Sequence, residues 1–346
     1  MGKVKDELLF LLIKNYLTVY LPVHRKVSDN TITSYRTAIN QFLNYVADTK
    51  GISLLAVKSE MFSYEMVSAY PDYISKDLNL SPATRNSRLA AIRAFIAYAS
   101  ACKPEYISLC SELSAIKIQK EDVFAKVDYM SEAAVKALFD EPDTATEIGL
   151  RDQFLMIFLY DTGGRIQEVL NVKLNDIKLG GTPTVTLFGK GRKVRTVPLM
   201  KDTVSHLRNY LNVFHKGTPM LSDEWLFYTI RKGIKTAISD DAVRIRLQKY
   251  ADAARMKCPE VPEKVYPHLW RHTRAMHLYQ HGMDLTMVSQ WLGHSQIKTT
   301  EVYAYADTEA KRKAIETAMA DNASSPSEDI KYTVTDEEIL KRLYGL

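Results

Sequence analysis

Pro183-Thr-Val-Thr-Leu-Phe188-Gly189-Lys190-Gly191-Arg192-Lys193-Val-Arg-Thr-Val-Pro-Leu199 is the stretch on which the fold turns. Threonine alternates with apolar residues up to Phe188, which is strand spacing. Gly189 to Arg192 reads as a turn, and Lys193 to Leu199 as the returning strand. On both sides the apolar residues recur at helical spacing instead. The chain is therefore read as mainly α with a small β-sheet.

Upstream of the hairpin, Ser131 is placed to cap a helix over Glu132–Phe139. A second helix spans about Thr144 to Asp161, with Phe154, Leu155, Ile157, Phe158 and Leu159 supplying core. Downstream, helices are expected over Asp202–Phe214 and Ser239–Met256, then from Pro267 to Tyr305 with breaks at Gly282 and Gly293. Residues 1–116 look helical throughout. A first helix runs from Lys5 to Tyr20. A second follows Ser28-Asp29-Asn30 and carries Ile32, Tyr35, Ile39, Phe42, Leu43 and Val46. A third, between Ser63 and Asp77, contains Pro71, a residue able to split it. A fourth opens at Ser81-Pro82, a capping residue with proline in the first turn, and its early turns are expected to place Arg85 and Arg88 outward. Residues 117–128 are charged and weakly periodic, which suits a linker. The expected organisation is a helical domain over 1–116, a linker, a mixed α/β domain over 129–320, and a polar connector with a short amphipathic helix over 321–346.

A length of 346 residues suits two domains, and 46% hydrophobic content is enough for sizeable cores. Cys102, Cys110 and Cys258 are few, odd in number and lack metal-ligand spacing, so neither a disulfide framework nor a zinc site is expected. That fits a reducing cytoplasm. No apolar run approaches the roughly 18 residues of a membrane span. The run Leu8–Ile13 follows Asp6 and Glu7 and lacks a small-residue cleavage site, unlike a signal peptide. Net charge is +5, but its distribution says more: Gly189–Arg274 holds 18 Lys/Arg against 8 Asp/Glu, and Asp321–Leu346 holds 3 against 6. A basic middle beside an acidic tail points to a polyanionic partner.

Four patches carry candidate chemistry. Thr162-Gly-Gly-Arg165-Ile-Gln-Glu168 presents Arg165 after two glycines, although an arginine so placed is often only a surface charge. The hairpin tip offers Lys190, Arg192 and Lys193, as a DNA-backbone contact or as a solubilising run. Pro267-His268-Leu-Trp-Arg271-His272 sets His268 and Arg271 three apart, on one helix face; a histidine packed beside Trp270 is the plainer reading. Last come Leu292-Gly-His294-Ser295 and, nine residues beyond His294, Tyr303. Together they meet one demand. A phenol oxygen attacking a DNA phosphodiester builds a phosphorane with added negative charge. Guanidinium groups clamp its non-bridging oxygens. A histidine or lysine lends a proton to the departing 5′ oxygen. Cations also favour loss of the phenol proton. No metal, ATP-binding loop or other cofactor is called for.

In order and spacing, these residues resemble the tyrosine recombinases, or phage integrase family, most closely the Xer-like branch. The resemblance covers about 150 residues of the second domain; the helical first domain is similar to the family's core-binding domain by pattern and position. It implies that Arg165 and Arg271 hold the scissile phosphate and that Lys190 is a general acid on a mobile hairpin. It also implies that His268 and His294 assist, Glu168 supports Arg165, and Tyr303 attacks to give a 3′-phosphotyrosine. The implied partners are double-stranded DNA with inverted half-sites and three further copies of the chain. That homotetramer would join two duplexes through a Holliday junction, with a C-terminal helix (Asp336–Tyr344) exchanged between protomers, and no membrane involved. DNA contacts are expected from Arg85, Arg88, Arg192, Lys193, Arg244 and Arg246. The implied job is integration or excision of a mobile element, or Xer-like resolution. A type IB topoisomerase and a DNA-binding homologue without catalysis are the alternatives. Departures are small: Gly164 replaces a commoner side chain, Trp270 stands where leucine is usual, and Tyr305 stands where histidine is frequent. Tyr305 is the rival nucleophile. The chain opens directly on core-binding helices, so no separate arm-binding domain is expected.

Overall fold

The computed structural model describes residues 3–116, 118, 127–189, 193–294, 296–306 and 341. The chain divides into two compact units, Met1–Val123 and Phe124–Leu346. Most of the expected linker 117–128 lies outside the described residues, as do Lys190 and Arg192 and nearly all of the tail beyond 306.

Unit one is helical. Helix α1 spans Glu7–Asn15, capped by Asp6, whose carboxylate accepts from Leu9 N and also from Ser59 N and Oγ. The α-helix does not continue to Tyr20 as expected. It widens into a π-helical segment over Tyr16–His24 that contains Pro22, and Tyr16 and Tyr20 stack there with centroids 5.6 Å apart. Helix α2 (Asp29–Lys50) starts at the Ser28 cap and stops at Gly51 in the left-handed region. Helix α3 (Tyr64–Lys76) passes through Pro71 unbroken. Proline costs this helix one hydrogen bond, to Val67 O. Burial of Val67, Tyr70, Pro71 and Ile74 on one face outweighs that loss. Helix α4 (Pro82–Cys102) begins at Ser81, which accepts from Thr84 N, and α5 (Ile107–Ser114) packs against it. Arg93 of α4 donates to the carbonyls of Leu113, Ser114 and Ile116, satisfying the end of α5. Phe42, Val46, Val67, Tyr70, Phe95 and Ile96 centre the core.

Unit two opens with α6 (Glu132–Phe139), capped by Ser131, and α7 (Glu147–Thr162), capped by Thr146. A short α8 (Ile166–Leu170) leads to β1 (Ile177–Lys178), β2 (Thr184–Gly189) and β3 (Lys193–Pro198). These strands form an antiparallel sheet in that order. The register pairs Leu187 with Arg195 and Gly189 with Lys193. Helix α9 (Lys201–Phe214) follows, then a hairpin, β4 (Tyr228–Arg231) and β5 (Ile234–Ala237), that the sequence pattern does not reveal. Helices α10 (Asp240–Arg255), α11 (Pro267–Gln280), α12 (Leu285–Leu292) and α13 (Lys298–Ala306) complete the unit. Its core gathers Phe154, Phe158, Leu159, Tyr210, Phe227 and Trp270. Trp270 is fully buried and stacks on Phe139, centroids 5.6 Å apart, so a larger ring than leucine has a place to go. No helix among the described residues is long and apolar enough to cross a membrane.

Candidate active site

Three helix ends and one sheet edge set out the site. Arg165 stands where α7 gives way to α8. Its backbone N and its Nη1 both donate to Glu168, at 3.0 and 2.8 Å. Gly164 just before it is forced: a Cβ there would lie 2.7 Å from Val169 Cγ2. From β3, Arg195 reaches the same carboxylate (Nη2 to Oε2, 2.7 Å) and also donates to Trp291 O at the end of α12. The turn after α12 leaves no room for a side chain, since a Cβ on Gly293 would sit 2.9 Å from Arg195 Cδ and φ is +67°.

Arg271, on α11, is only 3% exposed. Nη1 donates to Gly163 O and Nη2 to Leu292 O, each at 2.7 Å. The guanidinium thus holds the ends of α7 and α12 together while remaining charged. Burial and the charges of Arg165 and Arg195 press its pKa down to about 9, still cationic at neutral pH. His294 shares a 2.8 Å hydrogen bond through Nδ1 with Thr300. Burial, then Arg271, Arg165 and Arg195, lower it to about 4. His268 is exposed on α11. Desolvation and the charges of Arg271, Arg165 and Arg244 lower its pKa too. Such a concentration of positive field keeps both imidazoles neutral until an anion offsets it. Arg165, Glu168, Lys193, Arg195, Gln290 and His294 line a cleft of about 570 Å³.

Tyr303, on α13, is 1% exposed and packs with Ala275, Met276, Val288 and Leu292. Its hydroxyl lies 2.9 Å from Nδ1 of His272. Burial raises the phenol to about 12, against the pull of nearby Arg271. The structure thus brings Arg165, Glu168, His268, Arg271, His294 and Tyr303 into one electrostatically coupled group. Among the described residues no cluster of His, Cys, Asp and Glu is arranged to hold a metal ion.

Residues 128–310 match the phage integrase family, and residues 13–103 match the phage integrase N-terminal SAM-like domain. The chain belongs to the phage integrase family. It is a tyrosine recombinase, an enzyme of site-specific recombination. A Sinorhizobium fredii protein named as an integrase/recombinase, y4rC, is 29% identical over 305 residues, 88% of this recombinase and 90% of the relative. The tyrosine recombinase XerC of Myxococcus xanthus is 30% identical over 297 residues, 84% and 92% of the two chains. The crystal structure of the XerH site-specific recombinase bound to palindromic difH substrate, a post-cleavage complex, aligns with a TM-score of 0.64 at 20% identity. It covers 92% of this chain and all of that one, so the fold is shared across both units.

Neither Arg195 nor His272 of the recombinase shows its role in the sequence, although they sit inside the hairpin stretch 189–199 and the stretch 267–272. Their partners lie 27 to 96 residues away, so only tertiary structure reveals them. The expected DNA contacts divide. Lys193 is exposed at the cleft, and Arg244 is exposed but chelates Asp240 at 3.0 and 3.1 Å. Arg246 is paired with buried Asp152 at 2.9 Å. Arg88, expected to face outward, instead donates to Ser34 O on α2. Arg85 is half-buried.

Glu168 gives this recombinase a pH signature. Burial opposes its ionisation, but the hydrogen bonds and charges of Arg195 and Arg165 outweigh that and hold the carboxyl at about 2. A depressed acid stabilises the fold fully above its unfolded value near 4.5 and loses that contribution as pH falls toward 2. The shift corresponds to about 3 kcal/mol. In denaturant titrations, Glu168→Gln should be less stable than the parent at pH 7, with the gap closing by about pH 2. A gap independent of pH would show that the carboxylate is not held by charge.

Proposed function

We propose that the protein cuts and rejoins double-stranded DNA by attack of the Tyr303 phenol on a backbone phosphate, leaving a 3′-phosphotyrosine and a free 5′ hydroxyl. One observation carries this reading: the buried Tyr303 hydroxyl lies in the field of Arg271, which also acts on Arg165, His268 and His294, and Arg165 and His294 line the basic cleft. Arg165 and Arg271 clamp the non-bridging oxygens, and fixed donors at the place where charge develops supply much of the rate. Glu168 orients Arg165. Lys190, on the hairpin tip outside the described residues, protonates the departing 5′ oxygen, and His268 and His294 assist. The covalent link conserves the bond energy, so joining needs no ATP. Four protomers act on two duplexes through a Holliday junction, with the segment 336–344 docking on a neighbour.

DNA as partner is supported by the basic cleft and by the XerH relative, whose structure was solved on its difH substrate. Relatives named XerC and XerD support the Xer-like branch. Backbone contacts come from Arg85, Arg192 and Lys193, so affinity falls steeply with salt; Arg88, Arg244 and Arg246 contribute less because they are already engaged.

The test is a nicked suicide duplex carrying the half-site. The trapped adduct, digested and analysed by mass spectrometry, should carry its nucleotide on the peptide containing Tyr303. Modification at Tyr305, or no adduct, refutes the reading.

A further inference from the structure

Among the described residues, the one side chain hydrogen-bonded to the Tyr303 hydroxyl belongs to none of the roles assigned above. We propose that His272 is a further catalytic residue, the base that takes the phenol proton as Tyr303 attacks. This rests on the reading of Tyr303 as nucleophile and adds to it the fate of that proton.

Geometry comes first. The hydroxyl and Nδ1 are 2.9 Å apart, within reach for direct transfer. His272 lies directly after Arg271 on α11, so the base is carried on the same turn as the clamp. His268, although nearer the helix start, has no hydrogen bond to the phenol; its ring centre is 6.0 Å from that of His272. In the step, the Tyr303 Oη–P bond forms and the P–O5′ bond breaks. The phenol proton passes to Nδ1, leaving an imidazolium, and a separate acid protonates O5′. Rejoining runs the transfer backward and regenerates the neutral ring.

Charge explains why the pair stays silent without DNA. The groups facing His272 are His268 and Arg271 on its own helix, Asp128 before α6, His294 after α12, and Tyr303 on α13. Burial, then the charges of His268 and Arg271, lower His272 to about 4, while the phenol stands at about 12. Proton transfer is then strongly uphill. A phosphate seated between Arg165 and Arg271 brings a negative charge that offsets this field, makes the imidazole more basic, and gives the phenol oxygen its electrophile. Substrate therefore switches on the base.

The test compares His272→Asn, His272→Leu and Tyr303→Phe with the parent. Each is assayed for half-site binding, thermal melting and single-turnover adduct formation from pH 6 to 9. Two suicide duplexes are used, one with the normal 5′ oxygen and one with a 5′-bridging sulfur that leaves without an acid. Asparagine can accept the phenol hydrogen bond but cannot take its proton. Both His272 variants should bind like the parent, with His272→Asn melting like it and His272→Leu somewhat lower because the phenol loses its partner, yet both should cleave about 10²-fold more slowly at neutral pH. That defect should persist on the sulfur duplex and shrink as pH rises and hydroxide replaces the base. Cleavage by His272→Asn within twofold of the parent, or a defect that the sulfur duplex repairs, overturns the proposal. Adducts formed by Tyr303→Phe would instead overturn the nucleophile itself, a separate failure.

Discussion

Tyr303→Phe is expected to form no covalent DNA adduct while binding a half-site as tightly as the parent. The substitution removes one oxygen and little else. The ring remains among Ala275, Met276, Val288 and Leu292, and the fold loses only the hydrogen bond to His272, about 1 kcal/mol. Stability and binding should therefore survive while the proposed chemistry has no nucleophile. Tyr305→Phe is the companion. Residues two apart on a helix do not share a face, so the Tyr305 variant should form adducts normally. Gel analysis of both variants on a suicide duplex decides the matter. Adducts from Tyr303→Phe, with none from Tyr305→Phe, would reverse the assignment.

Arg271→Ala should be the more destructive change to the protein as a whole. Its guanidinium, the proposed phosphate clamp, also joins two helix ends. Loss of a preorganised donor at a developing charge typically lowers the rate by about 10²–10³. Here the same deletion also strips Gly163 O and Leu292 O of their donor. Each buried carbonyl left unsatisfied costs about 1–3 kcal/mol. A fall in denaturation midpoint should therefore accompany the fall in single-turnover cleavage. Arg271→Lys keeps a charge but cannot span two carbonyls in a planar fork, so it should recover little of either. Arg165→Ala separates the effects. The Arg165 side chain is 40% exposed and its one ion-pair partner among the described residues is Glu168, so cleavage should drop with a much smaller change in midpoint. Full cleavage by Arg271→Ala would remove it from the phosphate clamp.

These contrasts also show what could be read from the chain alone. The ordered motifs from Arg165 to Tyr303 point to the family that the comparisons show, and the hairpin 183–199 and the caps at Ser81 and Ser131 are local signals and are legible in the chain. Pro71 is not, because its cost is local but its compensation is burial against other helices. The β4–β5 hairpin escaped because its turn, Lys232-Gly233, has two positive φ angles without the Asn-Gly or Asp-Gly signature. Arg195 and His272 were visible as letters inside motifs. Their work is defined by a carboxylate and a phenol brought from distant positions, which spacing along the chain does not encode.

The depth of Tyr303 has a further consequence. A protein with so basic a face meets far more random duplex than target, sliding along it through contacts with phosphates. The Tyr303 hydroxyl, the proposed nucleophile, is tucked beneath the surface and hydrogen-bonded to a neighbouring ring. Passing phosphates meet only inert cations, so the search can proceed without leaving breaks behind it.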